Sequence, residues 1–262
     1  MSTPLLQVKD LSKKFPAGYR RFRKVYDTAL EPISFELYPK ETLAFVGEAG
    51  SGRTTLAKIL AGAEQASSGE ILLDGEHLEL MDHKRRCSLI RMIFQDPTTS
   101  LNPRQRIGQL LEEPLKFNTN QDKAEREQTV NRILKKVGLL REHADFYPHM
   151  ISHGQRQRVA IARALMLEPK IIISDEALSG LDSSLRAQCV NLLLELQQKL
   201  GLSYILMSHD LGLVRHMSDR VIVLKRGEVV EEGRTMEVFA NPQHKYTRRL
   251  LEEQMLIIEQ PQ

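Results

Sequence analysis

The sequence predicts an α/β protein with a mainly parallel sheet, an N-terminal antiparallel β element and an inserted α-helical subdomain. The first observation is a recurring unit: a short apolar run, a turn, then helical spacing. Thr42–Val46 is such a run, followed at once by a glycine-rich turn and by Thr54–Leu60 in a helical pattern. The second is a gap. From Asp96 to Leu167 strand candidates are missing and long polar helical sequence takes over, as in Asn120–Val137.

The elements follow in order. Leu5–Val8, Ile33–Leu37 and Ile71–Leu73 read as strands of the antiparallel element, with a loop expected over Phe15–Thr28. Thr42–Val46, Lys170–Ser174 and Ser203–Met207 read as buried strands of the parallel sheet. Val159–Leu167 is an apolar helix and Tyr246–Gln254 a terminal one. The expected organisation is a single domain over residues 1–262. Residues 1–95 and 168–262 form its core, and 96–167 the helical subdomain.

Composition narrows the class. Of 262 residues, 41% are hydrophobic and 27% charged, which is ordinary for a chain that buries a core. A net charge of +3 is too mild to argue for a nucleic-acid partner. The basic run Arg20–Arg21–Phe22–Arg23–Lys24 reads as a solvated loop, or alternatively as a contact for anionic lipid headgroups. Cys87 and Cys189 form neither a disulfide framework nor a metal cluster, and read as reduced cytosolic thiols. Met1–Asp10 is mixed and polar, unlike a signal peptide. The longest apolar runs, such as Val221–Leu224, and shorter ones such as Ile171–Ile173, fall short of the roughly 20 residues a membrane span needs. A membrane role is therefore expected to come through partners.

Chemistry concentrates first at Gly47-Glu48-Ala49-Gly50-Ser51-Gly52-Arg53-Thr54-Thr55. This segment follows a strand and opens a helix, the context a phosphate-binding P-loop requires. Glycines let the backbone turn its N–H groups inward around phosphate oxygens. The helix N-terminus adds partial positive charge. Thr54 offers a hydroxyl for Mg²⁺. Lysine usually follows the last glycine; here Arg53 keeps the charge but replaces a compact ammonium with a planar guanidinium. A glycine-rich turn without ligand is the plainer alternative.

Other candidates stand further along. The apolar run Ile171–Ile173 leads through Ser174 to Asp175 and Glu176, which read as a Mg²⁺ carboxylate and a group polarising water, or else as an acidic surface turn. His209 ends a strand, where it can meet a γ-phosphate and the attacking water; a structural histidine is the alternative. Gln95 sits at a strand-to-loop junction, within reach of Mg²⁺ or water. Ser152 before a helix reads as an N-cap, and the segment Ser152, His153, Gly154, Gln155 as a second anion site.

Together these residues resemble the ABC ATPase family closely. The family's elements occur in its order: P-loop at Gly47–Thr55, Q-loop at Gln95, signature at Ile151–Gln155, Asp–Glu pair at Asp175–Glu176, D-loop at Ser179–Asp182, switch histidine at His209. Phe94–Arg104 and the tail Asn241–Leu250 look like the oligopeptide/dipeptide importer ATPases. Within that group the chain is most similar to the shorter ATPase subunit of Sap-type peptide systems, linked to antimicrobial-peptide sensitivity.

The resemblance implies a P-loop NTPase core, ATP and Mg²⁺ as ligands, and ATP hydrolysis coupled to peptide transport. It implies adenine stacking on Phe15, with Tyr19 as a nearby rival. It implies Glu176 as general base or water-orienting group, His209 on the γ-phosphate, Gln95 at the metal and Asp182 in the D-loop. Partners implied are a second ATP-binding subunit, two membrane-spanning permease subunits and a solute-binding protein, at the cytoplasmic face of the inner membrane. A soluble non-transport ABC ATPase and a weakly hydrolysing regulatory subunit are the competing readings. Two departures stand out: Arg53 for lysine, and Ile-Ser-His-Gly-Gln for the commoner Leu-Ser-Gly-Gly-Gln, which puts His153 where glycine is usual. A homodimer would carry both departures in both composite sites; a heterodimer with a standard partner would carry one in each.

Overall fold

A computed structural model describes residues 3–20, 23–94 and 101–258. Its contacts divide the chain into two units, Met1–Met81 with Tyr204–Gln262, and Asp82–Ser203.

In the first unit, β1 (Leu6–Arg20), β2 (Arg23–Leu37), β4 (Ser68–Leu73) and β5 (Glu76–His77) form an antiparallel sheet in the order β2-β1-β4-β5. Alternation sets its faces. Leu6 and Val8 point into the core with Phe35, Leu37, Ile71 and Leu73. The intervening Gln7 donates to its cross-strand partner Glu36 at 2.9 Å, and Lys9 pairs with Glu70 at 2.8 Å.

The loop expected over Phe15–Thr28 is corrected here. Described residues on both sides of the tip are paired strand: Phe15 opposes Asp27, Pro16 opposes Tyr26 and Gly18 opposes Val25. The register shifts between Pro16 and Gly18, and such an irregularity lets a strand accommodate a proline. Phe15, Val25 and Tyr26 supply the β-forming side chains around it.

A second set of strands in this unit runs β10-β9-β3-β8. β3 (Thr42–Val46) pairs in parallel with β8 (Ser203–Met207) and with β9 (Arg220–Lys225). β10 (Glu228–Arg234) pairs antiparallel with β9. Every residue of β3 and β8 is buried, which explains their unbroken apolar sequence. Helices α1 (Arg53–Ala61), α7 (Leu211–Met217), α8 (Thr235–Ala240) and α9 (Lys245–Ile258) belong to this unit.

In the second unit, β6 (Ile90–Ile93) and β7 (Ile171–Asp175) pair in parallel. Around them lie α2 (His83–Leu89), α3 (Ile107–Asn118), α4 (Lys123–Lys136), α5 (His153–Leu165) and α6 (Ser183–Leu200). Local chemistry starts these helices. Asp122 accepts the Glu125 amide at 2.9 Å while Glu125 accepts the Asp122 amide at 2.7 Å, a reciprocal cap at the start of α4. Gly201 in the left-handed conformation ends α6.

Candidate nucleotide site

The glycine-rich segment expected to bind phosphate, Gly47–Thr55, runs from the end of β3 into α1, the strand-to-helix placement that the sequence predicts. Two of its three glycines are sterically required. A methyl group at Gly47 would sit 2.2 Å from the Leu224 carbonyl oxygen. At Gly52, φ is 102°, and a methyl group would sit 2.6 Å from the Ala29 carbonyl oxygen. The loop is closed by Ser51 N–H donating to the Glu48 carbonyl at 3.1 Å, and the Ser51 carbonyl accepts from Gly227 at 2.9 Å.

The start of α1 carries no side chain that would compete with an anion. Gly52 is the N-cap, no side chain caps it, and the first turn holds no acidic residue. Its first amides are therefore not capped by a side chain, at the positive end of the helix. Ser51 is buried and its hydroxyl has no hydrogen-bond partner among the described residues. Arg53 is buried, Thr54 exposed and Thr55 half-buried; Glu48, Ala49 and Gly50 are exposed.

His209 follows β8. The Ser208 amide donates to the Phe45 carbonyl at 3.1 Å, which sets the end of β8 against β3. Asp210 then caps α7 by accepting the Leu213 amide at 3.0 Å. A cavity of about 210 Å³ is lined by Gly47, Glu48, His209, Leu211, Glu253 and Gln254 among others. The structure thus brings His209 and the start of the P-loop to one cavity. Phe15 lies on β1 with its ring partly exposed and the Lys13 ammonium 4.7 Å from the ring centroid. Tyr19 lies on the same strand.

The remaining candidates stand in the second unit. Asp175 is the last residue of β7 and is buried. Glu176 follows with φ 48°, a left-handed conformation strained for a residue with a side chain. Its carbonyl accepts from the Ser179 amide at 3.1 Å and the Ser179 hydroxyl at 2.8 Å, so the turn closes around that strain. Asp182 caps α6 by accepting the Leu185 amide at 3.0 Å.

Ser152 caps α5: its hydroxyl accepts the Gln155 amide at 3.2 Å, and the Gln155 side chain accepts the Ser152 amide at 2.9 Å. His153 is the first helical residue and is half-buried. Gly154 is buried against α6, where a methyl group would meet the Leu185 side chain at 2.7 Å. Gln95 lies outside the described residues.

Sequence reasoning missed Gln157. It is fully buried and donates to the Ala177 carbonyl at 3.0 Å, tying α5 to the turn just after Glu176. A signal existed, because Gln157 is a polar residue on the buried stripe 154, 157, 161, 164 of α5. Tyr246 was missed too: its hydroxyl accepts the Glu48 amide at 3.1 Å.

A glycine-rich loop that admits no side chain at two positions, an apolar strand closed by Asp175 with Glu176 next, and a Ser-capped helix start are the features that the sequence resemblance assigns to a nucleotide-binding cassette. The family model for ABC transporters matches residues 30–179. The chain belongs to the ABC transporter family and has its ATPase fold.

More particularly, it is similar to "Peptide transport system ATP-binding protein SapF" of Salmonella typhimurium, at 50% identity over 96% of this chain and 94% of the relative. It is also similar to "Putrescine export system ATP-binding protein SapF" of Escherichia coli K12, at 49% identity over the same shares. Among solved structures, the dimeric ATP-binding cassette MJ0796 bound to ADP and Pi superposes with a TM-score of 0.75 at 29% identity, covering 88% of this chain and 98% of that one.

Proposed function

We propose that this chain hydrolyses ATP to drive peptide transport, as one of two nucleotide-binding subunits on the cytoplasmic face of a membrane transporter. The supporting observation is the phosphate loop. Its glycines admit no side chain at two close approaches, and it leads into a helix start with no side-chain cap and no acidic residue. The names of the SapF relatives give the peptide substrate class. Among the described residues no helix is long and apolar enough to cross a membrane, so the proposed transporter needs separate permease subunits.

The roles proposed are those that the family resemblance assigns to these positions. Amides of Gly50, Ser51, Gly52, Arg53, Thr54 and Thr55 hold the phosphates, with Gly47, Glu48 and Ala49 shaping the loop. Phe15 stacks on adenine. Ser152, His153, Gly154 and Gln155 of one subunit close over the ATP held by the other, beside Asp182. Thr54, Asp175 and Gln95 would hold Mg²⁺; hydroxyl, carboxylate and amide oxygens are the hard donors this ion takes. Magnesium supplies charge neutralisation on the β- and γ-phosphate oxygens when bound. Glu176 orients the attacking water and accepts its proton, and His209 steadies the γ-phosphate. Closure is a population shift, because ATP contacts both subunits only when they meet. The solute-binding protein and the permeases select the cargo.

Arg53 and His153 are proposed to slow turnover. The guanidinium is bulkier than an ammonium, and His153 takes the place where glycine lets a phosphate approach. Pairing with a different ATP-binding subunit leaves each composite site with one departure. Putrescine is the second substrate reading, on the name of the Escherichia coli relative. The test is reconstitution with both permeases and the second ATP-binding subunit. Magnesium-dependent ATP hydrolysis stimulated by peptide supports the proposal. Stimulation by putrescine alone moves the substrate to polyamines, and absence of magnesium-dependent ATP affinity removes the whole reading.

A further inference from the structure

Helix α9 makes contacts that a passive tail does not need. Its start is fastened to β10, where the Glu231 carboxylate accepts the amides of Gln243 at 2.7 Å and His244 at 3.0 Å. The His244 ring then accepts the Tyr246 amide at 3.1 Å. Tyr246 is buried, its hydroxyl accepts the Glu48 amide of the P-loop at 3.1 Å, and the Lys225 ammonium stands 4.9 Å from its ring centroid. Burial pushes the phenol above its ordinary value, so it remains a neutral acceptor for that amide near pH 7.

Eight residues further on, about 12 Å along a helix, Gln254 faces the same way. Its carbonyl accepts the Leu211 amide at 2.8 Å, and its amide donates to the His209 carbonyl. Between them Leu250 lines the cavity shared by Gly47, Glu48 and His209. One helix face therefore grips the phosphate loop at one end and the backbone of the switch histidine at the other.

We propose that α9 is a strap and that Tyr246 and Gln254 are positioning residues for ATP hydrolysis. Tyr246 fixes the start of the phosphate loop, which bears on ATP binding. Gln254 fixes the backbone from which the His209 ring projects, which bears on the chemical step. This rests on the ATPase reading above. A neutral hydrogen bond contributes little on its own, so each effect is expected to be about three- to tenfold.

The test uses the assembled transporter with full-length chain. Tyr246→Phe, which removes only the hydroxyl, should raise KM for ATP three- to tenfold and hold kcat within twofold. Gln254→Ala should lower kcat by a similar factor and hold KM. Gln254→Glu keeps an acceptor for Leu211 but loses the donor to His209, so it should match Gln254→Ala. Recovery of kcat in Gln254→Glu would show that Gln254 serves only to cap α7, and would overturn its role. Unchanged constants, or parallel losses that track a lowered melting temperature, overturn the strap. The unmodified complex is assayed alongside: if it hydrolyses ATP, a missing split refutes the strap alone, and if it does not, the ATPase reading fails first.

Discussion

Replacing Gly52 by alanine separates two physical effects at the phosphate loop. At φ 102°, any residue with a Cβ carries a left-handed strain of about 1–2 kcal/mol. The added methyl would also stand 2.6 Å from the Ala29 carbonyl oxygen and 2.7 Å from the Leu30 side chain. Leu30 can rotate, but the Ala29 carbonyl is main chain of β2 between the paired residues Thr28 and Leu30, so moving it disturbs both. Overpacking of this kind costs about 1–3 kcal/mol, which brings the total to roughly 2–5 kcal/mol. Gly50→Ala is the control, because its φ of 78° carries similar strain while its methyl meets nothing within 4 Å. In nucleotide-free protein, followed by thermal denaturation, Gly50→Ala should lower Tm by about 2–8 °C and Gly52→Ala by several degrees more, at about 2–4 °C per kcal/mol. Equal shifts in the two variants would refute the close approach at Ala29. Magnesium-ATP titration should then show the larger affinity loss for Gly52→Ala, since its helix start must move to relieve the contact.

Other sites give sharper readouts. Glu176→Gln should cut hydrolysis by about 10²–10⁴-fold while nucleotide affinity holds, read by single-turnover assay against equilibrium binding. Gln157→Leu should destabilise by about 1–3 kcal/mol, because the buried Ala177 carbonyl loses its donor; an unchanged denaturation midpoint would show that the bond contributes nothing. Arg53→Lys combined with His153→Gly should raise ATP turnover in the reconstituted transporter, and an unaltered rate would make both departures neutral.

Much of this was legible because it is local. The glycine spacing of residues 47–52, the apolar run ahead of Asp175 and the Ser152 cap each announce a structure within a few residues of themselves. What stayed hidden depends on partners distant in sequence. Pro16 and Gly18 spell a turn on their own, and only pairing with Tyr26 and Val25 makes that stretch a strand. The Tyr246 hydroxyl meets an amide 198 positions away, and Gln254 meets His209 across 45. No periodicity encodes such bonds. Gln157 lies between these cases: its place on an apolar stripe was visible, but its acceptor was not.

The rules broken in this chain fall, in sequence, within two positions of residues assigned to its proposed chemistry. Glu176 adopts a conformation that glycine would hold at lower energy, and the turn around it is closed twice on its own carbonyl. Ser51 buries a hydroxyl that no described residue satisfies, two positions before the helix start. Gln157 spends a fully buried amide on one carbonyl at the edge of the same acidic turn. A sequence selected for stability alone would replace Glu176 and Ser51 at little expense. Their persistence together is intelligible if a ligand and a dimer partner satisfy in the working complex what the single chain leaves strained or unpaired. That sets an asymmetry in expected behaviour. Magnesium-ATP should stabilise the assembled subunits more than the isolated chain, by the linkage RT ln(1 + [L]/Kd) with the tighter Kd of the closed pair. Equal nucleotide-induced shifts in melting temperature for the two would mean that the strain is resolved within one subunit, and that the partner's signature helix does not complete the site.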